Sequence, residues 1–321
     1  MTGAKPARLV VLDPISPETA ARLRSLLPPE LELHQGTSRD EAHQCAVIAD
    51  ADFAISGQIA VNGTVLRAAR RLRLLHKWGV GVDNIDLAAA RALGIVVART
   101  TGSNAVPVAE FTVGLILSAL RGLAYGHGRL QEGEWAGGRM PHPAASLSGK
   151  TVGIVGYGAI GQTVGRIVGA GFGCTVLYTK AAPAPGIPGR HVTLPELLAQ
   201  SDVVTLHCPL TPATAGMIDA AALRAMKPTA VLVNTARGPL VVEADLRAAL
   251  KDGTITAAAM DVFDEEPLPA DNPLRGIPNL TITPHIAAAS ADTFRPTVER
   301  MYANMLRVLR GEPLPPGDVV A

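Results

Sequence analysis

The chain has 321 residues and a formal net charge of +1, so it has room for about two domains and lacks the basic excess of a nucleic-acid binder. Apolar residues make up 48% of it, enough for sizeable cores, yet no run reaches the roughly 18 apolar residues of a membrane span. Three widely spaced cysteines, Cys45, Cys174 and Cys208, form no C-x-x-C and no even set, which argues against a disulfide framework and for reduced thiols in a cytoplasmic protein.

Asp13 and Pro14 interrupt the first apolar run, so the N-terminus reads as a strand over residues 9–12 and not as a signal peptide. Pro17 opens a helix carrying Ala21, Leu23, Leu26 and Leu27. Residues 31–33 and 53–55 read as strands with a helix over 40–49 between them. Val65, Leu66 and Ala69 form a helical face, and a strand over 72–75 follows. Next comes the glycine-rich turn Lys77-Trp-Gly-Val-Gly-Val-Asp-Asn-Ile-Asp86. Asp86 suits the N-cap of a helix through Leu93, which Gly94 stops, and residues 95–98 give a further strand. Repeated β-α units of this kind predict a parallel sheet with helices on its faces.

Residues 104–121 carry a long helical pattern, with Val108, Phe111, Leu115, Ile116 and Leu120 apolar and Pro107 in the first turn, where proline is tolerated. Residues 133–148 read as a loop. The stretch Val152-Gly-Ile-Val-Gly-Tyr-Gly-Ala-Ile-Gly-Gln-Thr-Val-Gly165 then gives strand, glycine turn and helix in the order of a dinucleotide fingerprint. In that reading Gly156 permits the tight turn, Gly158 lets backbone approach a pyrophosphate, and Gly161 lets helix and strand pack closely. Residues 174–178 read as the second strand and Ala181 to Gly189 as a Pro/Gly surface segment. Strands follow over 203–207, 230–234, 257–260 and 280–283, with helices over 194–199, 219–226 and 243–250, and a last helix over 287–310.

Three polar residues fall just beyond strand ends, on the side where an open α/β sheet binds ligands: Arg237, Glu266 and His285. Taken singly, each has a bland alternative as a solvated or structural side chain. Together they suit hydride transfer to a ketone. A guanidinium grips a carboxylate and a neighbouring oxygen, an imidazolium gives a proton to the developing alkoxide, and a carboxylate on the other ring nitrogen orients the imidazole and favours its charged form.

With these residues in place, the sequence resembles the D-isomer-specific 2-hydroxyacid dehydrogenase family over essentially its full length. The resemblance rests on Gly79-Val-Gly-Val-Asp-Asn-Ile-Asp86, Asn104-Ala-Val-Pro-Val-Ala-Glu110, Gly156-Tyr-Gly-Ala-Ile-Gly161, Asn234-Thr-Ala-Arg-Gly238, Asp261-Val-Phe-Asp-Glu-Glu-Pro267 and Thr283-Pro-His-Ile286, in that order. It implies a Rossmann-type coenzyme domain over residues 100–286 and a smaller, discontinuous flavodoxin-like catalytic domain over 1–99 and 287–321, with a cleft between them and usually a homodimer. It puts Arg237, Glu266 and His285 in the catalytic positions and Val80 and Gly81 in the loop whose N–H groups hold the substrate carboxylate. Gly156, Gly158, Ala159, Ile160, Gly161, Cys208, Pro209, Thr235 and Ala236 fall along the coenzyme, and Asp261 at its carboxamide. Lys77 matches a basic position of phosphoglycerate-type relatives, where a solvated lysine is the other reading. The family also includes dinucleotide-sensing corepressors, which keep the same three residues, and a sister formate dehydrogenase, which pairs its histidine with glutamine and not with a residue like Glu266. The residues after the last helix lead to the expectation that the chain lacks the regulatory domain of longer phosphoglycerate dehydrogenases.

The sequence departs from the family pattern at Phe111, where many relatives carry histidine, and at the end of the second coenzyme strand. The acidic residue that would bind the adenosine ribose is replaced there by Thr179 and Lys180. This predicts NADP in preference to NAD. The expected substrate is a small 2-oxo or 2-hydroxy acid whose identity the sequence does not name, with no nucleic-acid, membrane or metal partner.

Overall fold

The segments Phe53–Ser56, Leu74–Lys77, Val203–Leu206, Val231–Asn234 and Ala257–Met260 are buried at every residue, a condition met when a parallel sheet is covered on both faces. The computed structural model describes residues 5–183 and 187–321, so part of the expected surface segment Ala181 to Gly189 lies outside the described residues. The chain divides into two compact units, Met1–Asn104 with Ala289–Ala321, and Ala105–Ala288.

The first unit runs β1 (Ala7–Val11), α1 (Pro17–Ser25), β2 (Leu31–Gln35), α2 (Glu41–Ile48), β3 (Phe53–Ser56), α3 (Gly63–Ala68), β4 (Leu74–Lys77), α4 (Leu87–Ala92) and β5 (Val96–Arg99). Its strands are all parallel in the order β2-β1-β3-β4-β5, the flavodoxin-like arrangement. Ser16, Asn62 and Asp86 cap α1, α3 and α4 with their side chains.

The second unit begins with α5 (Ala105–Arg121) and α6 (Leu123–Gln131) and continues through β6 (Thr151–Val155), α7 (Ala159–Phe172), β7 (Thr175–Thr179), β8 (Arg190–His191), α8 (Leu194–Gln200), β9 (Val203–Leu206), α9 (Ala220–Ala225), β10 (Val231–Asn234), α10 (Glu243–Asp252), β11 (Ala257–Met260) and β12 (Leu280–Ile282). The parallel order β12-β11-β10-β9-β6-β7-β8 is that of a Rossmann sheet with one added strand. Val152, Ile154, Val164 and Val168 pack with α5 on one face, while Leu206, Leu232, Met260 and Leu246 fill the other. Among the described residues no single helix is long and apolar enough to cross a membrane.

The last helix, α11 (Ala291–Arg310), belongs to the first unit and packs Val298, Met301, Tyr302 and Met305 against its sheet. It starts four residues later than its apolar pattern predicts, at the cap of Ser290. The N–H groups of Ile286 and Ala287 are taken instead by Asp261. β4 is likewise shifted, ending at Lys77 and not at Leu75. His76 and Lys77 are polar, yet both are buried because each finds partners. Neither α6 nor β8 was legible. α6 follows a break at Gly122, which has φ 61°, and β8 is two residues held by pairing with β7.

The chain end supplies a further feature that no sequence pattern announced. Val320 donates to Val97 at 2.8 Å and Val97 to Ala321 at 2.8 Å, so the terminal residues cover the open edge of β5. Beneath this edge His76 is fully buried. Its Nδ1 bonds the Lys77 carbonyl at 3.0 Å and its Nε2 accepts from Asn304 at 3.1 Å. Asn304 also donates to Asp318, which Arg300 grips. Burial pushes the His76 pKa down from 6.5 to about 4, outweighing the backbone bond and the Asp318 charge, which favour protonation. The unfolded chain therefore takes up this proton first, and the stability tied to neutral His76 is whole above pH 6.5 and lost as pH falls toward 4. The loss should be on the order of 3 kcal/mol. A His76→Gln variant should lack that part of the pH dependence when urea midpoints are compared over this range. Identical wild-type and variant slopes would rule it out.

Candidate active site

In the second unit the chain leaves β6 toward β7 and β8, then returns to β9 on the other side, so the carboxyl ends of β6 and β9 flank the topological switch point where such sheets bind ligands. The three glycines of the turn between β6 and α7 differ in what surrounds them. Gly156 has φ 93°, and a Cβ there would lie 2.4 Å from the Cys208 nitrogen. A Cβ on Gly161 would lie 2.3 Å from the Gly156 carbonyl oxygen. A Cβ on Gly158 would meet nothing within 4 Å. Two glycines thus serve close packing, and the third leaves open space beside the N-terminus of a 14-residue helix that begins at Ala159 and Ile160. Free N–H groups, the positive helix end and that space fit a dinucleotide pyrophosphate.

Thr179 is the last residue of β7 and half-buried, and Lys180 is exposed. No carboxylate follows the strand. Tyr178 stacks on Tyr157 of the glycine turn at 4.1 Å and tilts against His191 at 5.3 Å, while the His191 ring bonds the Lys180 carbonyl at 3.0 Å. Cys208 and Pro209 follow β9, and burial pushes the Cys208 thiol up to about 11, so it stays protonated. Thr235 is buried, with its hydroxyl 2.9 Å from that of Thr112 on α5.

Arg237 leaves β10 through a turn that Asn234 braces, accepting from Ala236 N at 3.0 Å and donating to the Arg237 carbonyl at 2.7 Å. The next residue, Gly238, lies so close to the Phe263–Asp264 backbone that a Cβ would come within 2.0 Å of it. That approach brings the arginine turn against the segment leading to Glu266. Glu266 accepts from Phe263 N at 3.0 Å through one oxygen and from His285 Nδ1 at 2.6 Å through the other. Burial disfavours the Glu266 carboxylate, but the His285 hydrogen bond and charge, the Phe263 N–H and the Arg237 charge prevail and hold its pKa below the usual value. The structure therefore brings Arg237, Glu266 and His285 into one electrostatic group.

His285 is the one non-glycine residue with positive φ, 52°, among the described residues. Its N–H donates to the Asp261 and Thr283 carbonyls at 2.8 and 3.1 Å. The fully buried Asp261 carboxylate takes the Thr283 hydroxyl at 2.6 Å, Ile286 N at 3.0 Å and Ala287 N at 2.8 Å. Asp261 thus shapes the loop that presents the histidine, a part that its place in the sequence did not reveal.

In the first unit, Lys77 is not a solvated lysine. It is 6% exposed, and its ammonium donates to the Gly57 carbonyl and, at 2.7 Å, to Asn84 Oδ1. Asp13 accepts from the N–H groups of Gly57, Gln58 and Ile59 on the same turn. Lysine and aspartate together fix the turn after β3. Val80 and Gly81 lie in the loop after β4, where the Val80 carbonyl accepts from Arg99 at 3.1 Å. Asp13, Asn84, Arg99, Asn234 and Gly238 escaped sequence reasoning, although glycine directly after Arg237 could have signalled close backbone contact. Among the described residues no group of three or more His, Cys, Asp or Glu could hold a metal ion.

The pattern of the D-isomer specific 2-hydroxyacid dehydrogenase NAD-binding domain matches residues 113–287. D-3-phosphoglycerate dehydrogenase of Methanocaldococcus jannaschii is 36% identical over 95% of this chain, which spans 58% of that longer protein. Two solved structures are similar throughout. The NADPH-dependent glyoxylate/hydroxypyruvate reductase of Sinorhizobium meliloti, in complex with NADP and malonate, has a TM-score of 0.85 at 31% identity, covering 99% of this chain and 97% of its own. The NAD-dependent formate dehydrogenase of Staphylococcus aureus, in complex with NAD, has a TM-score of 0.84 at 30% identity, covering 98% and 99%. By its pattern, its sequence relatives and its two sheets, the chain belongs to the D-isomer specific 2-hydroxyacid dehydrogenase family.

Proposed function

We propose that this protein is a nicotinamide-dependent oxidoreductase that interconverts a small 2-oxo acid and its D-2-hydroxy acid. The observation that carries the reading is the 2.6 Å bond between His285 Nδ1 and Glu266, beyond the carboxyl ends of a dinucleotide-type sheet. A bound nicotinamide would supply or take the hydride. The protein's own residues do the rest. Glu266, ionised and in contact with Nδ1, fixes the imidazole and leaves Nε2 as the atom that gives a proton to the developing alkoxide in reduction and takes it in oxidation. Arg237 grips the carboxylate and carbonyl oxygens of the substrate. In the first unit, the N–H groups of Val80 and Gly81 are donors for a substrate carboxylate. Glu266 also argues for a hydroxy acid over formate.

Thr179 and Lys180 support NADPH as the preferred coenzyme, because no carboxylate at the end of β7 repels a 2′-phosphate and the threonine hydroxyl can donate to one. Glyoxylate, hydroxypyruvate, pyruvate, phenylpyruvate and phosphohydroxypyruvate form the panel to assay with NADPH. Coenzyme binding without turnover of any of them would replace the enzyme with a dinucleotide sensor. A cytoplasmic homodimer belongs to the same proposal. The three cysteines are free, and Leu123, Leu130 and Trp135 are exposed at 57%, 56% and 83%, which supports burial against a second copy.

Arg237→Ala should lower kcat/KM by roughly a hundredfold, on the order of 3 kcal/mol, and lysine should rescue poorly because it lacks the fork. An efficiency near wild type would sink the assignment. Glu266→Gln removes the carboxylate that orients the His285 imidazole, so kcat for reduction should fall by roughly tenfold or more with coenzyme affinity little changed. An unchanged kcat would separate Glu266 from the proton step. NADPH should be favoured over NADH by about tenfold in kcat/KM, which needs only about 1.4 kcal/mol. Thr179→Asp should reverse that order, and a wild type that prefers NADH would refute the role of Thr179 and Lys180.

A further inference from the structure

We infer that Arg99 is a positioning residue for the substrate carboxylate, acting through the Val80–Gly81 peptide of the loop after β4. The inference rests on the proposed function, which gives that loop the carboxylate. Arg99 ends β5 and stands in register with Lys77 at the end of β4. One guanidinium nitrogen, Nη1, donates to the Val80 carbonyl at 3.1 Å. A trans peptide is planar, with its C=O and N–H pointing in opposite directions. Fixing the Val80 oxygen toward Arg99 therefore aims the Gly81 N–H away from it, as a donor free to meet an anion.

The loop has little else to set this direction. Its start is anchored by Trp78, whose N–H donates to Ser56 at 2.8 Å and whose ring tilts against Phe294 at 5.9 Å. Its end is anchored by Ile85, which donates to Val82 at 3.0 Å. Between these anchors Gly79 has φ 136°, and Gly79 and Gly81 have no side chains to lock a conformation. Between the same anchors the Arg99 bond holds the Val80 carbonyl.

The electrostatics point the same way. Arg99 forms no ion pair among the described residues, and its Nε is buried without a partner. An unpaired buried donor on a permanent cation is costly to the fold, so its own stability does not account for an arginine here. The stem of Lys77 runs beneath the same loop, with its Cε 3.9 Å from where a Gly79 Cβ would stand.

The test compares Arg99→Met and Arg99→Lys with wild type, using coenzyme-saturated enzyme and the best substrate of the 2-oxo acid panel. Oxalate binding, read from coenzyme fluorescence, serves as a carboxylate probe independent of turnover. Arg99→Met should raise KM and weaken oxalate by about tenfold each, with kcat and NADPH affinity little changed, because a contact made equally in ground and transition states is lost. Arg99→Lys, which keeps the charge but not the fork, should fall between. Unaltered KM and oxalate affinity in a folded variant would overturn the inference. So would a parallel loss of kcat and coenzyme affinity, the mark of a general structural role. If the methionine variant does not fold, the lysine variant decides by the same readouts. A wild type that turns over no 2-oxo acid, or an Arg237→Ala enzyme of full efficiency, counts against the proposed function and not against Arg99.

Discussion

A single buried carboxylate organises the candidate site of the second unit. Asp261 has no exposure, and a carboxylate so placed is tolerated only when its oxygens are hydrogen-bonded. Its donors are the hydroxyl of Thr283 and the N–H groups of Ile286 and Ala287. Those bonds tie the end of β11 to the loop after β12 and hold His285 in a left-handed conformation that costs about 1–3 kcal/mol for a non-glycine residue. The imidazole is thereby carried to Glu266, and the contact between them depends on a backbone that the histidine would not choose alone.

Close backbone packing is the second condition. Gly156, Gly161 and Gly238 each stand where a Cβ would overlap main-chain atoms. The first two press the coenzyme turn onto the strand ends, and the third presses the Arg237 turn onto the segment before Glu266. A site held by backbone contacts keeps its geometry better than one held by long side chains alone. Gly158 is the exception, since the space beside it is open.

The first unit shows a different strategy, in which buried polar side chains fix loops. Lys77 and Asp13 clamp the turn after β3 from its carbonyl and its N–H side, and Asn84 bridges the two loops through the Gly57 and Ile59 carbonyls. His76, neutral and buried, ties β4 to α11 and to the chain end. Each group is satisfied by a partner distant in sequence, so the loops are rigid without a large local core.

The two parallel sheets, the glycine fingerprint and the candidates Arg237, Glu266 and His285 were legible in the amino-acid order, because apolar periodicity, turn glycines and strand-end positions are local signals. The same order also displayed the missing acidic residue at Thr179, which is a matter of identity and not of geometry. Relations between distant residues arise only when the chain is folded. Folding moved the end of β4 to Lys77, since a lysine is buried only where Gly57 and Asn84 can receive it. It delayed α11 to Ser290, since Asp261 takes the N–H groups that would have begun the helix. It paired the chain end with β5 and set Arg99 on the Val80 carbonyl. A hydrogen bond across many residues leaves no periodicity in the chain, so these partners became visible only when the fold brought them together.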